Sequence, residues 1–236
     1  FHADALGLVD RYLCLLRGPA AFRLVGEGRG AVQAALGEGR GVVLLTSHLG
    51  NADLAGAVLV GDEVPIRAVR VQAERPEIQR LFHRAGRAPE VIDVSEPGPT
   101  MVRILAALRR GCVVGMMGDR VVDGYWVEVP VLGRPAPIPA GPFLVAALAG
   151  VPLVASFCLK EGARTYRVVT LPPRRLAFSP GRSRDEQLED WIAAFVADLE
   201  PLVRQYPYQW FNFFSIWSPA GLPERVSADR IRPRRG

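Results

Sequence analysis

Strand-length apolar runs and helix-length segments alternate along this chain, and that alternation constrains its fold more than any other feature. The strand-like runs lie at residues 42–45, 65–71, 90–94, 112–117, 151–159 and 165–171. The helix-like segments lie at residues 3–17, 31–36, 53–60, 76–85, 100–110, 141–149 and 184–205. Several runs are continuously apolar, as is typical of strands buried on both faces. The pattern predicts an α/β fold, in which a central, mostly parallel or mixed sheet carries helices on both faces.

The length and composition suit one such domain. The chain has 236 residues, 49% of them hydrophobic, which is enough for a sizeable core. Internal repeats and linkers are absent from the sequence, so we predict a single domain over residues 1–220. The segment 221–236 is rich in Pro and Arg and is predicted to be a loose basic tail. No apolar stretch reaches about 18 residues, so neither a transmembrane helix nor a signal peptide is expected.

The charge distribution bears on the partners. The net charge is +5 and the pI about 9.5, and Lys160 is the only lysine, so nearly all the cations are arginines. The guanidinium fork binds phosphate and carboxylate groups bidentately. Apart from the tail, the arginines are scattered, and no helix-turn-helix or zinc-finger pattern is visible. We therefore expect an anionic membrane surface as partner and no nucleic acid.

The cysteines argue against a metal site. Cys14, Cys112 and Cys158 are far apart, odd in number and embedded in apolar sequence. Such residues are typical of buried free thiols in a reducing compartment. There is no Cys-x-x-Cys pair, so no metal is expected. The Gly-Arg-Gly turns at 28–30 and 39–41 do not complete a dinucleotide-binding fingerprint, which leaves no sign of a nucleotide cofactor.

The segment 47–53, SHLGNAD, carries the strongest indication of chemistry. His48 follows the predicted strand 42–45, at the strand end where open α/β sheets bind ligands, and Asp53 lies in the first turn of the next helix. A carboxylate on one ring nitrogen fixes the tautomer, so that the other nitrogen can take a proton from a hydroxyl or amine. The alternative is a buried structural histidine beside an acidic residue that only favours the helix dipole.

Four blocks of sequence, in order, resemble one enzyme family. They are SHLGNAD at 47–53, GDR at 118–120, VEVPVLGRPA at 127–136 followed by PAGPF at 139–143, and YQWFNFF at 208–214. His-x4-Asp is similar to the signature of the lysophospholipid acyltransferase superfamily. The fuller pattern resembles its branch of late lipid A acyltransferases and mycobacterial phosphatidylinositol-mannoside acyltransferases, over residues 1–219. Lipid A enzymes commonly have Glu where this chain has Asp53, which weakens lipid A itself as the acceptor.

The resemblance implies an acyltransferase with the αβα sandwich of that superfamily. The expected donor is an acyl thioester on coenzyme A or acyl carrier protein, and the acceptor is a hydroxyl or amine of a membrane-associated lipid or glycolipid. His48 is the implied general base, Asp53 its orienting carboxylate, and Glu128 a second catalytic partner. No cofactor is implied, because the thioester is already activated. The expected location is the cytoplasmic face of the inner bacterial membrane, with the chain peripheral or anchored by a segment preceding Phe1.

Further residues are candidates for substrate binding. Asn51 belongs to the histidine motif, and Asp119 and Arg120 end the strand 112–117 at the same predicted sheet edge as His48. A solvated turn is the alternative for this pair. Arg84 shares a helix face with its neighbours Arg80 and Arg87 and is a candidate phosphate ligand, or part of a solvated basic face.

Two other segments leave their roles open. Glu128 lies in the predicted hairpin 120–138, on the face opposite Tyr125, Val127 and Val129, and is otherwise an exposed strand glutamate. The aromatic residues of 210–217 fit core, an acyl channel or the bilayer interface.

Two other functions remain to be weighed. A hydrolase using Ser47 or Ser156 is disfavoured because Gly-x-Ser-x-Gly is missing. A catalytically inactive, basic lipid- or membrane-binding domain would keep the arginines and aromatic residues but would not need the pair His48 and Asp53.

Overall fold

The computed structural model describes residues 2–230 apart from 27, 29, 62, 71–76, 78–79, 81–83, 85–88, 96–98, 123 and 219. The α-helices are α1 (His2–Arg17), α2 (Gly30–Leu36), α3 (Ala52–Gly61), α4 (Thr100–Arg109), α5 (Gly141–Ala149) and α6 (Arg184–Gln205). The strands are β1 (Arg23–Val25), β2 (Val42–Thr46), β3 (Ile66–Arg70), β4 (Glu90–Asp93), β5 (Val113–Met117), β6 (Trp126–Val131), β7 (Arg134–Pro139), β8 (Pro152–Lys160), β9 (Thr165–Thr170) and β10 (Arg174–Arg175).

The central sheet is mostly parallel. Its strands follow the order β1-β9-β8-β2-β5-β3-β4, with β10 paired to β8 off this path. The pairings of β8 with β9 and with β10 are antiparallel, and the others in this sheet are parallel. The strands β6 and β7 form a separate antiparallel hairpin. Because β2 and β5 are parallel neighbours, the loops that follow them leave the sheet at the same edge.

Helices cover both faces of the sheet, as the alternation predicted. Val43 and Leu45 of β2 belong to the larger core, which packs under α4, α5 and α6. Val42 and Leu44 belong to a second core on the side of α2 and α3. All four side chains are buried, and burying such a side chain stabilises the fold by about 1.5–3 kcal/mol. The expected αβα sandwich is therefore confirmed.

The hairpin packs on the longest helix. Val127, Val129 and Val131 of β6 are buried, and the hairpin lies against α6. Ser183 begins that helix with a capping box, in which its side chain and that of Glu186 each accept a backbone N–H bond from the other residue. Two of the first unsatisfied N–H groups of α6 are thereby satisfied.

The first strand escaped the sequence analysis. β1 has three residues and pairs in parallel with β9, with Arg23 opposite Thr165. So short a strand shows no periodicity. The chain leaves it through Gly26, whose φ is +121° and where a Cβ would lie 2.1 Å from the carbonyl oxygen of Val168. Only glycine fits so close to the neighbouring backbone.

The segment expected to be a loose tail differs from that expectation over residues 222–230. The indole Nε1 of Trp126 donates a hydrogen bond of 3.0 Å to the carbonyl of Pro223, and Ala228 is buried. This part of the chain is therefore packed on the hairpin and on α6. Residues 231–236 lie outside the described residues.

Three further expectations concern the cysteines, a membrane-spanning helix and the helix 76–85. The three cysteines are free and buried, as predicted. In the described part of the chain, no helix combines the length and apolar character needed to cross a bilayer. Most of the predicted helix 76–85 lies outside the described residues.

Candidate active site

Two neighbouring strands place the central pair of side chains. β2 ends at Thr46 and β5 ends at Met117, and these two residues are opposite each other in the parallel ladder. His48 follows the first strand end and Asp119 the second. Gly118, which lies between Met117 and Asp119 in sequence, donates its N–H to the carbonyl of Thr46 at 2.8 Å. The short loops therefore bring a histidine and a carboxylate together although 71 positions separate them in sequence.

Asp119 is bonded to His48 at two points. One carboxylate oxygen lies 2.7 Å from Nδ1 of the His48 ring, and the other accepts the backbone N–H of His48 at 2.9 Å. The same second oxygen also accepts Nε1–H of Trp210 at 2.9 Å and the side-chain amide of Asn212 at 3.2 Å. The Asp119 side chain is fully buried, whereas 26% of the His48 side chain is exposed.

These bonds keep Asp119 ionised. Burial by itself raises the pKa of this carboxyl, but the hydrogen bonds from His48 and Trp210, together with the nearby imidazole, outweigh it and hold the pKa below its usual value. An ionised carboxylate only accepts hydrogen bonds, so Nδ1 of His48 carries the proton. The lone pair of Nε2 is then available, which is the tautomer that a general base requires.

A C-terminal segment locks the histidine loop in place, and we call residues 208–214 the aromatic strap. The N–H of Gly50 donates to the carbonyl of Gln209, and the N–H of Phe211 donates to the carbonyl of His48, both at 2.9 Å. These two bonds bracket an antiparallel bridge between Leu49 and Trp210. The strap thus fixes the loop backbone and supplies donors to Asp119.

Arg120 is fixed by the same strap. Its Nε donates to the side-chain oxygen of Asn212 at 2.7 Å, and its Nη2 donates to the carbonyl of Phe211. The guanidinium lies 5.4 Å from the centre of the Phe214 ring, a cation–π distance. Burial lowers the pKa of Arg120 while the charge of Asp119 raises it, with a net lowering.

His48 and Arg120 line a cavity of about 310 Å³. Its wall also includes Arg11, Asp53 and Phe213, and so draws on α1, α3 and the strap. The expectation that His48 and Arg120 share one edge of the sheet is therefore met. In the part of the chain that the structure describes, no cluster of His, Cys, Asp or Glu side chains is arranged to hold a metal ion.

Asp53 has partners other than the one expected. One of its oxygens accepts from Nη1 of Arg70 at 3.0 Å, and the other lies 3.3 Å from Nε of Arg11. The Nδ1 position of His48, where Asp53 was expected, is taken by Asp119, which the sequence offered only as a substrate ligand. The neighbouring strand delivers Asp119 to the ring, whereas α1 and β3 bring two guanidinium groups to Asp53.

Asn51 has a clear structural task. Its side-chain oxygen accepts the N–H of Leu54 at 3.0 Å, so it caps the first turn of α3. Its side-chain amide donates to the carbonyl of Gly7 in α1 at 3.1 Å. Asn51 also lines the cavity, where it was expected as a substrate ligand. It therefore joins the histidine loop to the first helix.

Two other expected residues lie away from the cavity. Glu128 is exposed on the outer face of the hairpin, because the alternation along β6 turns Val127 and Val129 inward. Arg84 is exposed and is not among the residues that line the cavity. Its predicted neighbour Arg87 lies outside the described residues.

The sequence analysis missed three residues of the site. Asn212 was seen only as a member of a resembling block, and Trp210 also as part of the aromatic segment 210–217; no spacing rule connects either to residue 119. Arg11 was one of many arginines on amphipathic segments. The signal that could have found the strap residues was the polar Asn212 between Phe211 and Phe213, since an amide among aromatic side chains needs a hydrogen-bond partner where it is buried.

Known proteins are similar to this chain over much of its length. Residues 20–218 match the family described as bacterial lipid A biosynthesis acyltransferase. A phosphatidylinositol mannoside acyltransferase from Mycobacterium tuberculosis is 32% identical over 143 residues, which cover 59% of this chain and 45% of that protein. The protein of the same name from Mycolicibacterium smegmatis is 30% identical over 132 residues, with coverages of 55% and 43%.

One solved structure is also similar. The 1-acyl-sn-glycerophosphate acyltransferase PlsC from Thermotoga maritima aligns over 81% of this chain and 79% of its own, with 13% identity and a TM-score of 0.46.

The matched regions span less than half the length of the mycobacterial relatives. Because the family match extends over most of the sequence, this chain belongs to the bacterial lipid A biosynthesis acyltransferase family.

Proposed function

We propose that this chain transfers an acyl group from a thioester, carried by coenzyme A or acyl carrier protein, to a hydroxyl or amine of a lipid or glycolipid. The observation that carries the proposal is the 2.7 Å contact between Nδ1 of His48 and the buried carboxylate of Asp119. It leaves Nε2 as the basic nitrogen in a side chain that lines a cavity. Membership of an acyltransferase family supports the same reaction.

The proposed reaction needs one base and one anion stabiliser. Nε2 of His48 takes the proton from the acceptor hydroxyl or amine, whose oxygen or nitrogen attacks the thioester carbonyl. The resulting tetrahedral intermediate collapses, the carbon–sulfur bond breaks, and the imidazolium returns its proton to the leaving thiolate. Asp119 stabilises the imidazolium, and Arg120, a cation of the cavity wall, is the proposed stabiliser of the oxyanion.

The acceptor is proposed to be a membrane lipid. The two mycobacterial relatives are named for a phosphatidylinositol mannoside, which is the kind of glycolipid we propose here. Two exposed apolar side chains line the cavity: Leu8 of α1 is 48% exposed and Phe213 of the strap is 59% exposed. Such residues near a basic surface favour contact with an anionic bilayer. We therefore propose a peripheral position at the cytoplasmic face of the inner membrane.

Transfer is tested with His48→Ala. Wild-type protein, an acyl-coenzyme A and a bacterial membrane lipid extract should yield free thiol and an acylated lipid detected by mass spectrometry. His48→Ala should lower kcat by about 10²–10⁴-fold, as expected for loss of a general base. Glu128→Gln should remain within about twofold of wild type, since Glu128 faces away from the site. Release of free thiol when no acceptor lipid is added would instead identify a hydrolase. Retained activity in His48→Ala would exclude His48 as the base.

Membrane binding is tested separately by co-sedimentation. Anionic vesicles should bind the protein, and raising salt from about 0.1 M to about 1 M should release most of it, because the Debye length falls from about 10 Å to about 3 Å. Equal binding to neutral and anionic vesicles, insensitive to salt, would contradict the electrostatic contribution to membrane binding. Only the contact of aromatic and aliphatic side chains would then explain the binding.

A further inference from the structure

Strand β8 is longer than the part of it that β2 covers. The parallel ladder between them ends at Leu45 and Ala155, whereas β8 continues to Lys160. Beyond the ladder the histidine loop takes over, and the N–H of Asn51 donates to the carbonyl of Cys158 at 2.7 Å. Backbone groups two positions apart point to the same edge of a strand, so the N–H and the carbonyl of Lys160 also face this edge.

The side-chain amide of Gln209 satisfies both of these groups. Its Oε1 accepts the N–H of Lys160 and its Nε2 donates to the carbonyl of Lys160, both at 2.8 Å. In an antiparallel ladder the two residues of a hydrogen-bonded pair exchange the same two bonds, so the amide takes the place of a strand residue. The backbone carbonyl of Gln209 accepts the N–H of Gly50 at 2.9 Å. This one residue therefore joins the end of β8 to the histidine loop.

The support on β8 is itself held in place. Nζ of Lys160 pairs with the buried carboxylate of Asp10 in α1 and donates to the carbonyl of Ala163 at 2.9 Å. The same carboxylate accepts the hydroxyl of Tyr166 in β9 at 2.6 Å. These bonds tie Lys160 to α1 and to the turn between β8 and β9. Its backbone therefore offers Gln209 a fixed partner.

Side-chain packing holds only part of the aromatic strap. Trp210 packs against the larger core, but Tyr208 and Phe213 are 87% and 59% exposed. A cavity of about 130 Å³ at the start of the strap is lined by Leu6 of α1 and by Gln209. Atoms that border a cavity lose the dispersion contacts that close packing would give them. The hydrogen bonds of Gln209 are therefore a main restraint on the start of the strap.

We propose that Gln209 is a positioning residue for acyl transfer: its side-chain amide fixes the strap against β8, so that Trp210 and Asn212 keep their bonds to Asp119. The inference rests on the proposed function, to which it adds a residue that acts on His48 through the strap and Asp119. The strap bonds to Asp119 measure 2.9 Å and 3.2 Å, so a small displacement of the strap would break them. A misplacement of about 1 Å in a catalytic site can lower a rate by about 10²-fold.

The indole N–H signal of Trp210 in proton–nitrogen NMR reports the position of the strap without any substrate. The chain has four tryptophans, and Trp210→Phe assigns the signal. Gln209→Ala should shift this signal, because the bond from the indole to Asp119 lengthens. Gln209→Glu keeps the size of the side chain and one acceptor but has no donor for the carbonyl of Lys160, so it should shift the signal as well.

Gln187 provides a matched control. Its Oε1 accepts the N–H of Ser179 at 2.7 Å and its Nε2 donates to the carbonyl of Ser179 at 3.1 Å, the same pair of bonds to the backbone of one residue. Gln187 lies near the start of α6 and is not among the described residues that line the catalytic cavity. Gln187→Ala should lower the midpoint of urea unfolding at least as much as Gln209→Ala does. It should nevertheless leave the Trp210 signal unshifted and kcat within about twofold of the wild-type value.

Kinetics on the same preparations test the link to the reaction. Gln209→Ala should lower kcat by about 10–100-fold, with both KM values within about threefold. An unshifted Trp210 signal in Gln209→Ala and Gln209→Glu, a kcat that stays within twofold of wild type, or an equal loss of kcat in Gln187→Ala would overturn the proposal. A signal that shifts in the Gln209 variants but not in Gln187→Ala, in a protein whose wild type transfers no acyl group, would support the placement of the strap by Gln209 and refute the proposed function alone.

Discussion

Replacing Asp119 with asparagine would test the geometry of the site most directly. The carboxylate accepts four hydrogen bonds, one from the ring of His48 and three on its other oxygen. An asparagine of the same shape has only one oxygen. If its NH₂ group replaced the second oxygen, it would face the donors from the His48 backbone, Trp210 and Asn212, and three accepted bonds would be lost.

The amide should therefore turn the other way. Its oxygen then keeps the three bonds, and its NH₂ group faces Nδ1 of His48. That nitrogen must now accept, so the ring proton moves to Nε2, and the nitrogen that should act as the base is no longer basic. The fold is retained because most hydrogen bonds are retained, while the histidine is held in the wrong tautomer.

The expected size of the effect follows from this switch. In serine proteases the equivalent change, an Asp-to-Asn substitution next to the catalytic histidine, lowers kcat by about 10⁴-fold. We expect a loss of about 10³–10⁴-fold in kcat for Asp119→Asn, with KM values little changed. The free energy of unfolding should fall by about 1–3 kcal/mol, the cost of an exchanged partner in a buried hydrogen-bond network.

Nitrogen-15 NMR of the histidine ring reports the tautomer without any substrate. In the wild-type protein above neutral pH, the His48 signals should show a protonated Nδ1 and an unprotonated Nε2. In Asp119→Asn they should show the opposite tautomer, with the proton on Nε2. The chain has three histidines, so His48→Gln provides the assignment. Steady-state kinetics on the same samples supplies kcat and KM.

Two results would refute the reasoning. One is an unchanged tautomer in Asp119→Asn together with a loss in kcat of less than tenfold. The other is an Asp53→Asn protein in which the tautomer changes and kcat falls by the amount expected for position 119. The first result would remove the orienting role from Asp119, and the second would return it to Asp53, as the spacing of the motif first indicated.

Three further predictions test the surroundings of this pair. In the folded protein the pKa of Asp119 lies below its ordinary value of 3.8, so its contribution to stability is complete above pH 3.8 and is lost as the pH falls through the folded pKa. Between the folded pKa and 3.8, the free energy of unfolding in urea should fall by up to about 1.4 kcal/mol per pH unit more in the wild-type protein than in Asp119→Asn. Trp210→Phe removes one donor to that carboxylate and should lower the free energy of unfolding by about 1–2 kcal/mol and kcat by about tenfold, measured on the same preparations. Burial, and to a lesser extent nearby Cys14, raises the pKa of Cys158 to about 12, so a thiol reagent at pH 8 should react with the native cysteines far more slowly than with the three exposed by denaturant.

The elements of the fold could be predicted where their patterns were long. The helices 141–149 and 184–205 have the predicted bounds, because each begins and ends with strong local signals. The buried strands β2, β5 and β8 differ by one or two residues from the predicted runs. By contrast, β1 and β10 have three and two residues and exist only through their pairing partners. Nothing local distinguishes such segments from loops.

The sequence predicted several residues of the site but not which carboxylate pairs with His48. His48 and Arg120 lie in one cavity, as expected from two strand ends at the same edge of a parallel sheet. Which carboxylate would reach the imidazole depended on side-chain directions that sequence spacing does not determine. Asp119 lies on the adjacent strand's loop and is also held by two side chains from residues 210 and 212. That third element could be placed only once the chain was folded.

The chain therefore divides two tasks between its two acidic residues near the histidine. A carboxylate that orients a base should be buried, held on both oxygens and ionised, and Asp119 meets each condition. A carboxylate that pairs with arginines beside the cavity can stay partly exposed, and Asp53 is 41% exposed there, with Arg11 and Arg70 as its partners. The same motif spacing serves either task. What decides between them is the second carboxylate on the neighbouring strand: because Asp119 occupies the Nδ1 side of His48, Asp53 pairs with Arg11 and Arg70 instead.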